Sequence, residues 1–196
     1  MIHNIFATPI YTSKAIVSTD DKQSILSLNY ARNELDNGNV CFFGDYAQYS
    51  SLKKLIDYNV KQYIQQLTNQ PKTFIVSGIW AMQHVKGDFA QQHNHTTHND
   101  RDAASRLNLT TVPDISGVIM LDGINQTSGD LTFHRSNTDP FNNALGDDSS
   151  ITAHSWMWTP EPNQIFLFPA SLDHSVTANL NDSIRTTIAF DVIVNK

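Results

Sequence analysis

From residue 51 to 68 the apolar positions Leu52, Leu55, Ile56, Val60, Tyr63, Ile64 and Leu67 recur every three or four residues, the spacing of a helix with one buried side. Ser50 or Ser51 can cap its first turn, and Pro71 lies just beyond its end. Upstream, Phe6-Ala7-Thr8-Pro9-Ile10-Tyr11 is expected to be extended, because proline disfavours helix in the residue before it and suits an edge strand. A less amphipathic helix is expected over 20–35, with acidic residues in the first turn, where the helix dipole favours them, and an end near Asn37-Gly38. From Thr73 onward the pattern changes to short β-branched or aromatic runs separated by Asn, Asp, Gly and Pro. The expected strands are 74–83, 89–95, 116–121, 130–134, 151–158, 164–168, 174–177 and 184–194. Eight such strands suit a jelly roll, two sheets enclosing a pocket, with the helices packed on one of them. The polar stretches 96–114 and 136–150 have no period and read as long functional loops.

Composition narrows this mainly β picture. The 196 residues, 40% hydrophobic, suffice for one domain over 1–196 with a sizeable core. A formal charge of −6 with dispersed acidic groups leaves no basic face for nucleic acid. The lone Cys41, between Val40 and Phe42-Phe43, reads as a small buried hydrophobe rather than a nucleophile. Neither a secretion signal nor a membrane-spanning run is recognisable, so a soluble cytoplasmic protein is expected.

Candidate chemistry lies in the histidines. Three of the eight fall in His93-Asn94-His95-Thr96-Thr97-His98. Residues i and i+2 of a strand share a face, so His93 and His95 can converge on one ion. A third imidazole can come from His174, after the apolar run and turn Phe166-Leu167-Phe168-Pro169. Imidazole suits iron, zinc, copper or nickel alike. The other reading of the tract is a solvated loop. His3, His84, His134 and His154 are isolated and read as structural, and Trp80, Trp156 and Trp158 read as core. In the last strand Arg185, Thr187, Ala189 and Asp191 share one face, opposite Ile188, Phe190, Val192 and Val194. Taken alone, Arg185 reads as a strand-end residue paired with Asp182 or Asp173 at the surface. The alternative is a guanidinium turned into the sandwich to meet a ligand carboxylate.

The ordered set Gly87-Asp88-Phe89, His93-Asn94-His95, Ser116-Gly117-Val118, Gly129-Asp130-Leu131, Phe168-Pro169-Ala170-Ser171-Leu172-Asp173-His174-Ser175-Val176 and Ile184-Arg185-Thr186-Thr187 resembles the 2-oxoglutarate/iron(II) oxygenases of cyanophages and marine bacteria. The resemblance runs over nearly the whole chain and implies a double-stranded β-helix. It implies iron(II) held by His93, His95 and His174, and 2-oxoglutarate chelating that iron with its far carboxylate on Arg185 and a hydrogen bond from Thr187. The implied activity is oxidation of a C–H bond, in a small molecule or a protein side chain, with release of succinate and carbon dioxide; if the chain is phage-encoded, the site of action is the host cytoplasm. His95 stands where the superfamily usually has a carboxylate, two residues after the first histidine. The register His98-Asn99-Asp100 offers Asp100 instead. An apparent insertion over 99–114 could form a lid or a substrate wall. The competing functions are a non-enzymatic β-sandwich, such as a phage structural or binding module with a degenerate pocket, and a cupin-like three-histidine metalloenzyme that does not use 2-oxoglutarate.

Overall fold

The computed structural model describes residues 7–33, 37–43, 45–96, 112–135 and 153–195. In chain order these form β1 (Tyr11–Lys14), α1 (Thr19–Leu26), β2 (Ala31–Asn33), β3 (Gly38–Phe42), a 3-10 turn (Tyr46–Gln48) and α2 (Ser50–Thr68). Eight strands follow: β4 (Phe74–His84), β5 (Ala90–His93), β6 (Ile115–Asp122), β7 (Leu131–His134), β8 (Ser155–Trp158), β9 (Gln164–Pro169), β10 (His174–Val176) and β11 (Arg185–Val194). They build a seven-stranded sheet in the order β1-β9-β6-β11-β4-β3-β2 and a four-stranded sheet in the order β5-β10-β7-β8, with antiparallel ladders. The chain passes repeatedly between the sheets from β4 to β11, which makes the fold a double-stranded β-helix.

The large sheet is buried on both faces, and its strands show why. Ile79, Ala81, Ile119, Leu121, Ile165, Leu167, Ile188 and Phe190 pack outward on Leu52, Ile56, Val60 and Ile64 of α2 and on Ile25 of α1. On the inner face Met120, Phe166 and Phe168 meet Leu131 and Phe133 of the small sheet. Each fully buried large side chain of this kind contributes about 1.5–3 kcal/mol. Gly117 permits a close approach within the sheet, since a Cβ there would fall 2.3 Å from the Phe190 ring.

The N-terminal third departs from the expected pattern. The first helix stops at Leu26, and 31–33 and 38–42 form a hairpin on the edge of the large sheet, with Val40 opposite Met82. Ile25 is the one buried residue of α1, so no apolar stripe carries the helix onward, whereas the hairpin gains a ladder on β4. The first strand begins at Tyr11, pairing with Leu167; residues 1–6, with His3, lie outside the described set. Cys41 is half-buried on β3, and burial pushes its thiol above its usual range, away from nucleophilic use. Among the described residues no helix is long and apolar enough to cross a membrane.

Neither Ser50 nor Ser51 caps α2 with its own side chain. The cap comes from α1: Asp21 Oδ2 accepts hydrogen bonds from the Ser51 and Leu52 amides at 2.8 and 3.2 Å and from Ser51 Oγ at 2.6 Å. Burial alone would raise the Asp21 pKa, but these hydrogen bonds outweigh it and hold the carboxyl below its ordinary value. Asp21→Ala is expected to destabilise the fold by about 1 kcal/mol, the usual worth of a lost cap. The depressed folded-state pKa means that this contribution is present above the ordinary carboxylate range and is lost as pH falls through the folded value. Thermal melts of both proteins between neutral pH and pH 3 should therefore converge at the acidic end.

Candidate metal centre

The histidine triad assembles at one end of the space between the sheets. His93 closes β5 and His174 opens β10, and the two are direct partners in the ladder. His95 lies two residues past His93, in a bend beyond the strand's end, and its amide donates to the Ala170 carbonyl at 2.8 Å. The strand expected over 89–95 is thus shorter, and the convergence of the two side chains is kept by this backbone bond rather than by a continuing ladder. The rings of His93 and His95 stack with centroids 5.3 Å apart; those of His93 and His174 are 4.4 Å apart. One nitrogen from each ring lies within 4.8 Å of the others.

Each ring is anchored through Nδ1. His93 Nδ1 donates to the Gln91 carbonyl at 2.7 Å, His174 Nδ1 to the Leu172 carbonyl at 2.9 Å, and His95 Nδ1 to the Asp191 carboxylate at 2.7 Å. An acceptor on Nδ1 fixes the proton there, so Nε2 becomes the nitrogen through which each ring can ligate. Burial holds His174 well below the ordinary imidazole pKa, and His93 and His95 push it the same way, keeping it in the neutral, ligating form. The two ligand segments are tied together by Asn94 Nδ2, which donates to Asp173 Oδ1 at 2.5 Å. Phe168 and Trp80 flank the triad, with centroids 4.8 Å from His174 and 5.7 Å from His95.

Arg185 lies deeper. It is 1% exposed, and its Nε and Nη1 have no hydrogen-bond partner. Burial lowers its pKa to about 10, with Asp130 pulling the other way, so it remains a cation at neutral pH. The surface pairing with Asp182 or Asp173 is not what forms: Asp182 meets Lys86, and Asp173 takes Gln92 and Asn94. The reason is the alternation of β11, which turns the half-exposed Ile184 outward and Arg185 inward, beside His84 in register. Thr187, also buried, follows on the same face. Opposite lies Gly129, with φ +100°; a Cβ there would stand 2.4 Å from the Thr177 carbonyl oxygen and 3.2 Å from Arg185 Nη1. Asp130 is bound to Thr177, the residue just past the end of β10.

Of the other candidates, His134 is structural, bonding Ser175 Oγ at 2.8 Å, and His84 is buried under Gly38. Trp158 packs on Phe166 as core, but Trp80 is part of the histidine surround and Trp156 is half-exposed. Asp100, in the alternative register, and most of the loops expected over 96–114 and 136–150 lie outside the described residues. In the sequence Asp191 shares a strand face with Arg185 but carries no assigned role. The signal available was a charge in the middle of an otherwise apolar strand.

The chain was compared with known proteins once this geometry was in hand. A family model described as "Putative 2OG-Fe(II) oxygenase" matches residues 111–191, a span that includes His174, Arg185, Thr187 and Asp191. Comparison with curated protein sequences finds no match. Among solved structures, a 2OG-Fe(II) oxygenase family oxidoreductase from Burkholderia pseudomallei superposes with a TM-score of 0.60 at 12% identity, covering 94% of this chain and 84% of that one. A Pseudomonas putida prolyl-4-hydroxylase gives 0.60 at 13% identity over 95% and 93%. HygX from Streptomyces hygroscopicus, solved with nickel and 2-oxoglutarate bound, gives 0.62 at 12% identity over 94% and 82%. These likenesses establish the shared double-stranded β-helix.

Proposed function

We propose that this chain is an iron(II)- and 2-oxoglutarate-dependent oxygenase with an all-histidine metal site. The observation that carries the reading is one barrel holding both halves of the required chemistry: three imidazoles, each fixed by Nδ1 so that Nε2 can ligate, and a buried guanidinium with two unpartnered nitrogens. His93, His95 and His174 are the iron ligands. Arg185 is the anchor for the far carboxylate of 2-oxoglutarate, with Thr187 beside it. When bound, the pair of cofactors activates dioxygen and couples oxidation of 2-oxoglutarate, to succinate and carbon dioxide, to oxidation of a substrate C–H bond.

The fit rests on this chain's own residues. An unsatisfied buried cation costs about 1–3 kcal/mol or more, and a bidentate carboxylate relieves it. Gly129 leaves open the space in front of Nη1 that any side chain would fill. Phe168 packs on the ring of His174 and Trp80 on that of His95, giving those two imidazoles an apolar side. Substrate oxidation is read as hydroxylation of a small molecule or a protein side chain. The neighbours span both kinds, a prolyl-4-hydroxylase and HygX solved with hygromycin B bound.

Aerobic incubation with Fe(II) and 2-oxoglutarate, without any added substrate, is expected to produce succinate slowly through uncoupled turnover. Production should fall to background in His174→Ala. Succinate formed equally by both proteins would remove the site from the reaction, and its absence from both would favour a binding module. Turnover of an oxidisable substrate without 2-oxoglutarate would favour the cupin-like reading.

A further inference from the structure

We propose that Asp191 is a positioning residue of the metal centre: through His95 it supplies, one ligand further out, the negative charge that a directly coordinating carboxylate provides in the usual two-histidine, one-carboxylate triad. This rests on the metal reading of the three histidines. Two of them are self-sufficient, since His93 and His174 each hold Nδ1 on a carbonyl two residues earlier in their own segment. His95 differs. It has left the strand, and its Nδ1 partner is a side chain from β11, on the opposite sheet.

Asp191 is itself held for the task. Ser116 Oγ, from the neighbouring strand β6, donates to the same Oδ1 at 2.7 Å. The His95 and Asp191 side chains are only 10% and 15% exposed, so water screens the pair weakly. Asp191 sits where the β11–β4 ladder slips, between Asp191 and Val192, the kind of irregularity that re-aims a side chain beside a site. Phe190 and Val192 on either side point outward into the core, leaving the carboxylate inward. Three neutral imidazoles leave the full charge of a divalent ion uncompensated. A carboxylate hydrogen-bonded to one of them raises that ring's donor strength and returns part of the charge. Arg185 and Asp191 lie on the same face of one strand, so β11 serves both cosubstrate and metal.

The test uses Co(II) as the probe, titrated anaerobically into the full chain and followed by its d–d absorption. Asp191→Asn preserves size and a hydrogen-bonding oxygen but removes the charge; it should weaken Co(II) binding about 10- to 100-fold and shift the d–d bands. In a His95→Asp background, where the carboxylate sits at the usual ligand position, Asp191→Asn should leave the affinity unchanged or raise it, because the two carboxylates then repel. Equal losses in both backgrounds would mean a general field or folding effect and would overturn the proposal. So would unchanged affinity and spectrum in Asp191→Asn alone. A parent chain that binds no Co(II) at all would instead sink the metal reading beneath it.

Discussion

Replacing Arg185 with methionine is expected to make the cofactor-free protein more stable while sharply weakening its binding of 2-oxoglutarate. The guanidinium is fully buried, two of its nitrogens lack partners, and Asp130 is the charged group that acts on it. Leaving such donors unsatisfied costs about 1–3 kcal/mol, and a methionine of similar length fills the space without that cost. For a chain of this size the gain corresponds to a rise in melting temperature of roughly 2–12 °C. Cosubstrate binding should move the other way. Losing one side of a buried charge-assisted pair costs about 2–5 kcal/mol, and each 1.4 kcal/mol is about tenfold, so 2-oxoglutarate affinity should fall by roughly one and a half to three and a half orders of magnitude. Differential scanning calorimetry with and without 2-oxoglutarate reads both effects. If Arg185 were a framework residue, Arg185→Met would lower the melting temperature and spare binding.

The second large effect is metal-linked stability. A ligand that binds only the folded state stabilises it by about 2.7 kcal/mol at a hundredfold excess over Kd, which for this length is roughly 5–11 °C. Fe(II) or Co(II) under anaerobic conditions should give the parent protein this increment. In His174→Ala the increment should vanish, because His174 is the partner of His93 in the ladder and the most deeply buried of the three rings. The increment, not the absolute melting temperature, is the quantity to compare, since truncating a buried ring also destabilises the apo fold. An undiminished increment in His174→Ala would place the metal elsewhere.

Much of this was legible in the residue pattern, and the exceptions have physical causes. All eight strands from β4 to β11 were visible because Gly, Pro, Asn and Asp punctuate them and their faces alternate. The hairpin of β2 and β3 was not, because three- and five-residue strands with few apolar positions owe their existence to the edge of β4. The cap of α2 was misread for a similar reason, since Asp21 lies 30 residues from Ser51 and no local rule reaches it. In the site, the clustering of His93 and His95 with a distant His174 could be read from spacing. Arg185 alone was ambiguous, because which way a strand's first residue turns depends on the register with β4 and β6. The role of Asp191 depends on its approach to His95 across the sandwich, 96 residues away in sequence, which no local pattern reveals.

The three histidines and Arg185 are proposed to act as one iron- and 2-oxoglutarate-binding unit. Its most direct measurement is an anaerobic titration of the purified protein with Fe(II) and 2-oxoglutarate, followed by visible absorption. The account predicts a charge-transfer band that needs both components, saturates at one iron per chain, and is lost in His174→Ala and strongly weakened in Arg185→Ala. No band in the parent protein, or one that is unchanged in both variants, would contradict it.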